Sequence, residues 1–172
     1  MKKENLEKLI RSIPDFPQKG ILFRDITPLL GNGAAFRFAV SRLAATCPAE
    51  TEMVAGIESR GFIFAAAVAA RLGTGFIPIR KAGKLPFRTE KVTYDLEYGI
   101  DTLEVHQDAM DRKKNVVLID DLLATGGTAA AACRLLEKVG GKVIKAVFLI
   151  ELNDLQGRDQ ITGYDISTLI RF

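Results

Sequence analysis

The stretch NVVLIDDLLATGGTAAAA, residues 115–132, constrains the fold more than any other part of the chain. Val116, Val117, Leu118 and Ile119 form a short apolar run, rich in β-branched side chains and without polar alternation. Such a run reads as a strand covered on both faces, the pattern of a parallel sheet between helices. Asp120 and Asp121 then stand at its carboxyl end, where open α/β sheets bind ligands. Gly126 and Gly127 permit a turn with positive φ, which can aim consecutive backbone N–H groups at one point. Thr125 and Thr128 add hydroxyl donors, and the helix that starts near Gly127 adds its unpaired N–H groups and positive dipole end. The turn is built for a phosphate monoester. Adjacent carboxylates a few residues earlier are suited to the vicinal hydroxyls of a sugar carrying that phosphate. Ribose 5-phosphate fits this pattern better than a nucleoside triphosphate, because neither GxxxxGK[ST] nor GxGxxG occurs.

The rest of the chain alternates helix and strand signals, with no repeat, low-complexity segment or linker. Residues 4–12 read as a short amphipathic helix stopped by IPDFP, and a surface loop follows. After GNG at 31–33, Phe36, Val40 and Leu43 recur at helical spacing, so a helix is expected to about Cys47. MVAGI (53–57) and GFIPIR (75–80) are buried strand candidates, separated by a small-residue helix over 61–73 with Gly73 as its cap. Residues 81–99 are charged and weakly patterned, which predicts an excursion out of the sheet as a mobile hairpin. A helix over 127–139, a strand over 142–152 and a terminal strand over 165–172 complete the pattern. The expected architecture is one α/β domain over residues 1–172, with a five-stranded parallel core and short antiparallel additions.

With 172 residues the chain can bury a sizeable core without staples. Cys47 and Cys133 are far apart and have no His nearby, so neither a zinc site nor a disulfide framework is supported, and a reducing cytoplasm is the expected compartment. No apolar run approaches the length of a membrane span, and the first ten residues lack a signal-peptide core, so a soluble intracellular protein is expected. A net charge of +3, spread along the chain, is too small to argue for nucleic acid, so no nucleic-acid partner is expected, and it suits a small anionic ligand. Phe62, Phe64, Phe76 and Phe148 lie in apolar runs and read as core, and His106, the sole histidine, reads as structural. Phe23, between turn residues, is the aromatic best placed to stack on a base.

VVLIDDLLATGGT resembles the phosphoribosyl-pyrophosphate (PRPP) motif of the type I phosphoribosyltransferases, in the form found in their adenine-using members. Three further segments resemble the same family. IPDFPQKGILFRDITPLL (13–30) is similar to its amino-terminal hood, AGIESRGFIFAAAVA (55–69) to its pyrophosphate loop, and IRKAGKLP (79–86) with YDLEYG (94–99) to the strand and flexible loop that close over substrate. The resemblance therefore implies the type I fold, a mostly parallel five-stranded sheet flanked by helices, with a hood over 1–32 and a flexible loop over 82–99. It also implies a cis peptide before Ser59.

The implied reaction joins adenine to the 5-phosphoribosyl group of PRPP, giving AMP and pyrophosphate in purine salvage, with Mg2+ carried on PRPP and a homodimeric enzyme. Ala124, Thr125, Gly126, Gly127 and Thr128 would bind the 5-phosphate, and Asp120 and Asp121 the ribose. Ser59, Arg60, Arg80, Lys81 and Lys84 would hold pyrophosphate, Leu22, Phe23, Arg24 and Leu152 adenine, and Glu97 would be the catalytic group. No protein ligand to the metal is assigned, since magnesium keeps waters and binds through substrate phosphates. Each segment also has an ordinary structural reading, such as a solvated basic loop for Arg80, Lys81 and Lys84. A 6-oxopurine or xanthine phosphoribosyltransferase would share the phosphate turn and differ in the hood. A regulator on the same fold would bind without turnover, but no added helix-turn-helix is present in the sequence.

Overall fold

The computed structural model describes residues 3–95 and 99–172, so Glu97 lies outside the described residues. The chain enters through α1 (Lys3–Glu7), then β1 (Arg11–Pro14) and β2 (Leu22–Asp25), which pair antiparallel with Ile13 opposite Phe23. The helix expected over 4–12 thus ends at Glu7. Leu6 and Ile10 are still buried, but Arg11 to Pro14 are taken up in pairing with β2, which ends the helix short of its expected length. The short α2 (Thr27–Gly31) follows, carrying a proline in its first turn, and then α3 (Gly33–Thr46), where the Asn32 side chain accepts from Ala35 N at 3.0 Å.

β3 (Met53–Ile57), α4 (Arg60–Leu72) and β4 (Gly75–Lys81) form the first parallel βαβ unit. Gly73 caps α4 with φ 71°, as its position predicts, and its N–H donates to Ala69 O. β5 (Thr89–Asp95) and β6 (Ile100–His106) come next, then β7 (Lys114–Leu123), α5 (Gly127–Lys138), β8 (Gly141–Glu151), two 3-10 turns (Asn153–Leu155 and Gly157–Gln160) and β9 (Ile166–Arg171). The sheet order is β5-β6-β4-β3-β7-β8-β9. From β4 to β9 the five strands are parallel, as expected. The hairpin β5–β6 does not leave the sheet. It extends it on the β4 edge, pairing Arg80 with Glu104 and Lys81 with Leu103. Period-two burial of Val92 and Tyr94, between exposed Lys91, Thr93 and Asp95, drives that outcome and was masked by the charges around it.

The core has two layers. Val116 and Leu118 pack with the α5 side, Val117 and Ile119 with the α3 and α4 side, so β7 is covered on both faces. Phe64 and Phe148 are fully buried, and each such side chain contributes about 1.5–3 kcal/mol. Phe62 and Phe76 are only half-buried and meet edge-to-face at 5.5 Å, a partial correction to their reading as core. His106 packs edge-on to Phe87 with its Nε2 buried and unpaired, a structural placement. Among the described residues no helix is long and apolar enough to cross a membrane.

At the end of β8, Glu151 is buried and receives Arg158 Nε at 2.6 Å and Nη2 at 2.9 Å, with Thr168 Oγ1 at 2.8 Å. The Arg158 hydrogen bonds hold its carboxyl below the usual Glu value of 4.5 against the upward push of burial, and Thr168 helps. A depressed acid contributes stability that is present above its unfolded pKa and lost as pH falls through the folded one. Glu151→Gln is therefore expected to cost about 1.5–3 kcal/mol at pH 7. In urea unfolding, the gap between variant and parent should shrink as pH drops below 4.5.

Candidate active site at the carboxyl edge of the sheet

The carboxyl ends of β3 and β7 open into a cavity of about 450 Å3, and the elements around it each deliver one kind of group. β7 brings Asp120 and Asp121. The turn after it carries Gly126 at φ 87°, a left-handed conformation that favours glycine, and α5 starts at the next residue. Ala124, Thr125, Gly126 and Thr128 line a second cavity of about 220 Å3 that shares Arg60, Asp120 and Asp121 with the first. Four consecutive features of the 115–132 stretch thus converge as the sequence predicts.

The turn from β3 into α4 supplies Ser59 and Arg60, and the Glu58–Ser59 peptide is cis. Gly61 is packed so closely under Asp120 that a Cβ there would lie within 3.0 Å of Asp120 Oδ1. Only glycine lets the first turn of α4 approach this carboxylate. Asp120 Oδ1 accepts from Asp121 N at 2.9 Å, while Asp121 Oδ2 is 2.7 Å from Arg60 Nη2, off the line of a good hydrogen bond. Burial and then the neighbouring Asp121 charge push the Asp120 carboxyl well up. Burial also raises Asp121, with Arg60 opposing.

The hood contributes Phe23, whose ring meets Phe16 edge-on at 5.1 Å and lies 5.0 Å from the Arg60 guanidinium carbon. Arg60 therefore touches both the carboxylate pair and the aromatic platform, and its Nη1 also donates to Arg24 O at 3.3 Å. Arg24 stacks on the Phe172 ring at 3.8 Å and donates to Ser12 Oγ, so it clamps the hood to the end of the sheet and does not line the cavity. Leu22 is 48% exposed and Leu152 half-buried against the core; neither side chain lines the cavity. Arg80 is paired with Glu58 and donates to Lys84 O at 3.1 Å, and Lys84 is exposed, both outside the cavity lining. Lys81 does reach it, paired with Asp101 at 3.0 Å.

Sequence reasoning missed Tyr94, Asp101 and Glu58 as lining groups. Tyr94 OH accepts from Thr128 Oγ1 at 3.3 Å, which joins the hairpin to the first turn of α5. The alternation through Val92 and Tyr94 was the available signal.

Residues 30–171 match the family model of the phosphoribosyl transferase domain. The adenine phosphoribosyltransferase of Christiangramia forsetii is 52% identical over 168 residues, which cover 97% of this chain and 98% of that protein. The chain belongs to the adenine phosphoribosyltransferases. Its fold superposes on the adenine phosphoribosyltransferase of Thermoanaerobacter pseudethanolicus with a TM-score of 0.96, at 49% identity, covering 99% of this chain and 100% of that one. The Saccharomyces cerevisiae adenine phosphoribosyltransferase, solved with D-2,5-dideoxy-2,5-imino-altritol 1,6-bisphosphate and adenine, gives 0.89 at 36% identity, covering 97% of each chain. The hood, the carboxylate pair and the Gly126 turn described above all fall within these adenine phosphoribosyltransferase alignments, which span nearly the whole chain.

Proposed function

We propose that this chain transfers the 5-phosphoribosyl group of PRPP to adenine in purine salvage, with AMP and pyrophosphate as products. One observation carries the reading: a single cavity is lined by the Phe23 ring, the Asp120–Asp121 pair and Thr128 at the start of α5, the three groups a base, a ribose and a phosphate require. The Thr125–Thr128 turn holds the 5-phosphate, the aspartates accept from the ribose hydroxyls, and Phe23 stacks on the base. The bond from the anomeric carbon to pyrophosphate breaks, the bond to the base nitrogen forms on the opposite face, and the base gives up its imidazole proton. Glu97 is the proposed acceptor of that proton. Ser59, Arg60 and Lys81 stabilise the pyrophosphate as it departs, and Arg80 and Lys84 join them when the loop between β4 and β5 moves inward and excludes water.

Magnesium fits as a cation carried by PRPP. Asp121 already faces Arg60. When bound, the ion would neutralise charge on the pyrophosphate and ribose oxygens. A homodimer is expected in solution, at twice the 18.8 kDa chain mass. A reducing cytoplasm suits the two free thiols, which burial pushes up to about 11 at Cys47 and about 12 at Cys133.

The test is adenine-dependent pyrophosphate release from PRPP. Binding without release would point to a sensor. Phe23→Ala should weaken adenine binding by about 1–3 kcal/mol and leave the KM for PRPP nearly unchanged. An equal loss for both substrates would remove Phe23 from the base platform.

A further inference from the structure

The 3-10 turn at Gly157–Gln160 sits directly behind the Gly126 turn. A Cβ at Gly157 would fall within 3.0 Å of Ala124 O, and a Cβ at Gly126 would fall within 3.0 Å of Gly157 O. Two glycines therefore face each other backbone to backbone, with the Cβ of Gln160 beside them. The residue after Gly157 is Arg158, whose fork grips buried Glu151 at 2.6 and 2.9 Å and whose Nη1 donates to Ile166 O at 3.3 Å. Glu151 pairs in register with Leu123, the last residue of β7 and the one immediately before Ala124. Leu152 N, one residue on, donates to Leu123 O at 3.0 Å. The contacts close a ring from the end of β7 across to β8, through the ion pair to Gly157, and back onto the carbonyl of Ala124.

We propose that Gly157, held by the Glu151–Arg158 pair, is a positioning residue that sets the shape of the phosphate-binding turn. The inference rests on the phosphate assignment made for residues 124–128 above. Backbone N–H donors bind an anion only when they converge, and hydrogen bonds weaken steeply with misalignment. A methyl at residue 157 must displace the Ala124 carbonyl by something on the order of 1 Å, a shift that can cost about 100-fold in a preorganised site. Gly157 lacks the positive φ seen at Gly126, so an alanine there is not strained in its own backbone and acts through contact alone. The bidentate grip of Arg158 matters because a lysine keeps the charge and loses the fork.

Calorimetric titration of the full chain with AMP and, separately, with adenine tests this. Gly157→Ala is expected to weaken AMP binding about 10- to 100-fold and raise the KM for PRPP with kcat less affected, while adenine binding stays within about twofold. Arg158→Lys should show the same split in smaller measure, and it serves as the deciding variant if Gly157→Ala does not fold. Wild-type AMP affinity in the folded variant overturns the proposal, as does an equal loss for AMP and adenine. Failure of the parent protein to bind AMP at all overturns the phosphate assignment itself, and this inference with it.

Discussion

Hypoxanthine and guanine are expected to be used at least about 10⁴-fold less efficiently than adenine, measured as kcat/KM in competition. Adenine offers an amino donor at position 6 and an acceptor at N1, and the 6-oxopurines offer the reverse pair. A backbone C=O and N–H from the hood, arranged for one polarity, would leave buried groups unpaired against the other, which is the proposed source of the discrimination. Stacking on Phe23 is blind to this difference, since every purine presents a π-face. Rigidity in the hood is what makes a backbone reader selective. The β1–β2 pairing fixes the register around Phe23, Asp25 caps the start of α2 through Thr27 N and Oγ1 at 2.9 Å each, and Arg24 is clamped on Phe172. Replacing Leu22 by another aliphatic should leave base choice unchanged, because its main chain is the proposed reader. Comparable turnover of hypoxanthine and adenine would overturn the adenine assignment and leave the broader phosphoribosyltransferase one.

Asp120→Asn and Asp121→Asn should each lower kcat/KM for PRPP by roughly 10- to 150-fold, the value of about 1.5–3 kcal/mol for a hydrogen bond to a charged group. Their effects on stability should differ. Asp120 is raised by burial and by Asp121, and an acid with a raised folded pKa disfavours the folded state once pH exceeds the unfolded value near 3.8. Asparagine removes that penalty and can still accept from Asp121 N, so Asp120→Asn should melt at or above the parent temperature at pH 7.5. Asp121 is the partner of Arg60 at 2.7 Å. Its carboxyl is raised by burial as well, with Arg60 opposing, and its replacement leaves that cation without a counter-charge, so Asp121→Asn should melt below Asp120→Asn. Full PRPP use by either variant would remove that carboxylate from ribose recognition, and a lower melting point for Asp120→Asn would contradict the electrostatic reading of its burial.

Much of the site was legible because it is local. Val116 to Thr128 carry strand, carboxylates, turn and helix start within a few residues, and each follows from sterics or hydrogen-bonding capacity that neighbours in sequence impose. The same locality explains why the parallel core and the Gly73 cap came out as expected. The hairpin β5–β6 was harder. Its outward side chains are charged, and what makes it part of the sheet is an edge on β4 that exists only after folding.

The sequence alone therefore determined the alternating architecture, the covered β7 strand and the glycine turn at its end. Tertiary structure alone decided which distant groups reach that turn. Arg60 bridges Asp121 and Phe23, Tyr94 meets Thr128, Gly61 makes room for Asp120, and Gly157 backs onto Ala124. None of these pairings leaves a periodic signal, because each joins segments whose separation in space is set by the packing of the whole sheet rather than by the torsions of either segment.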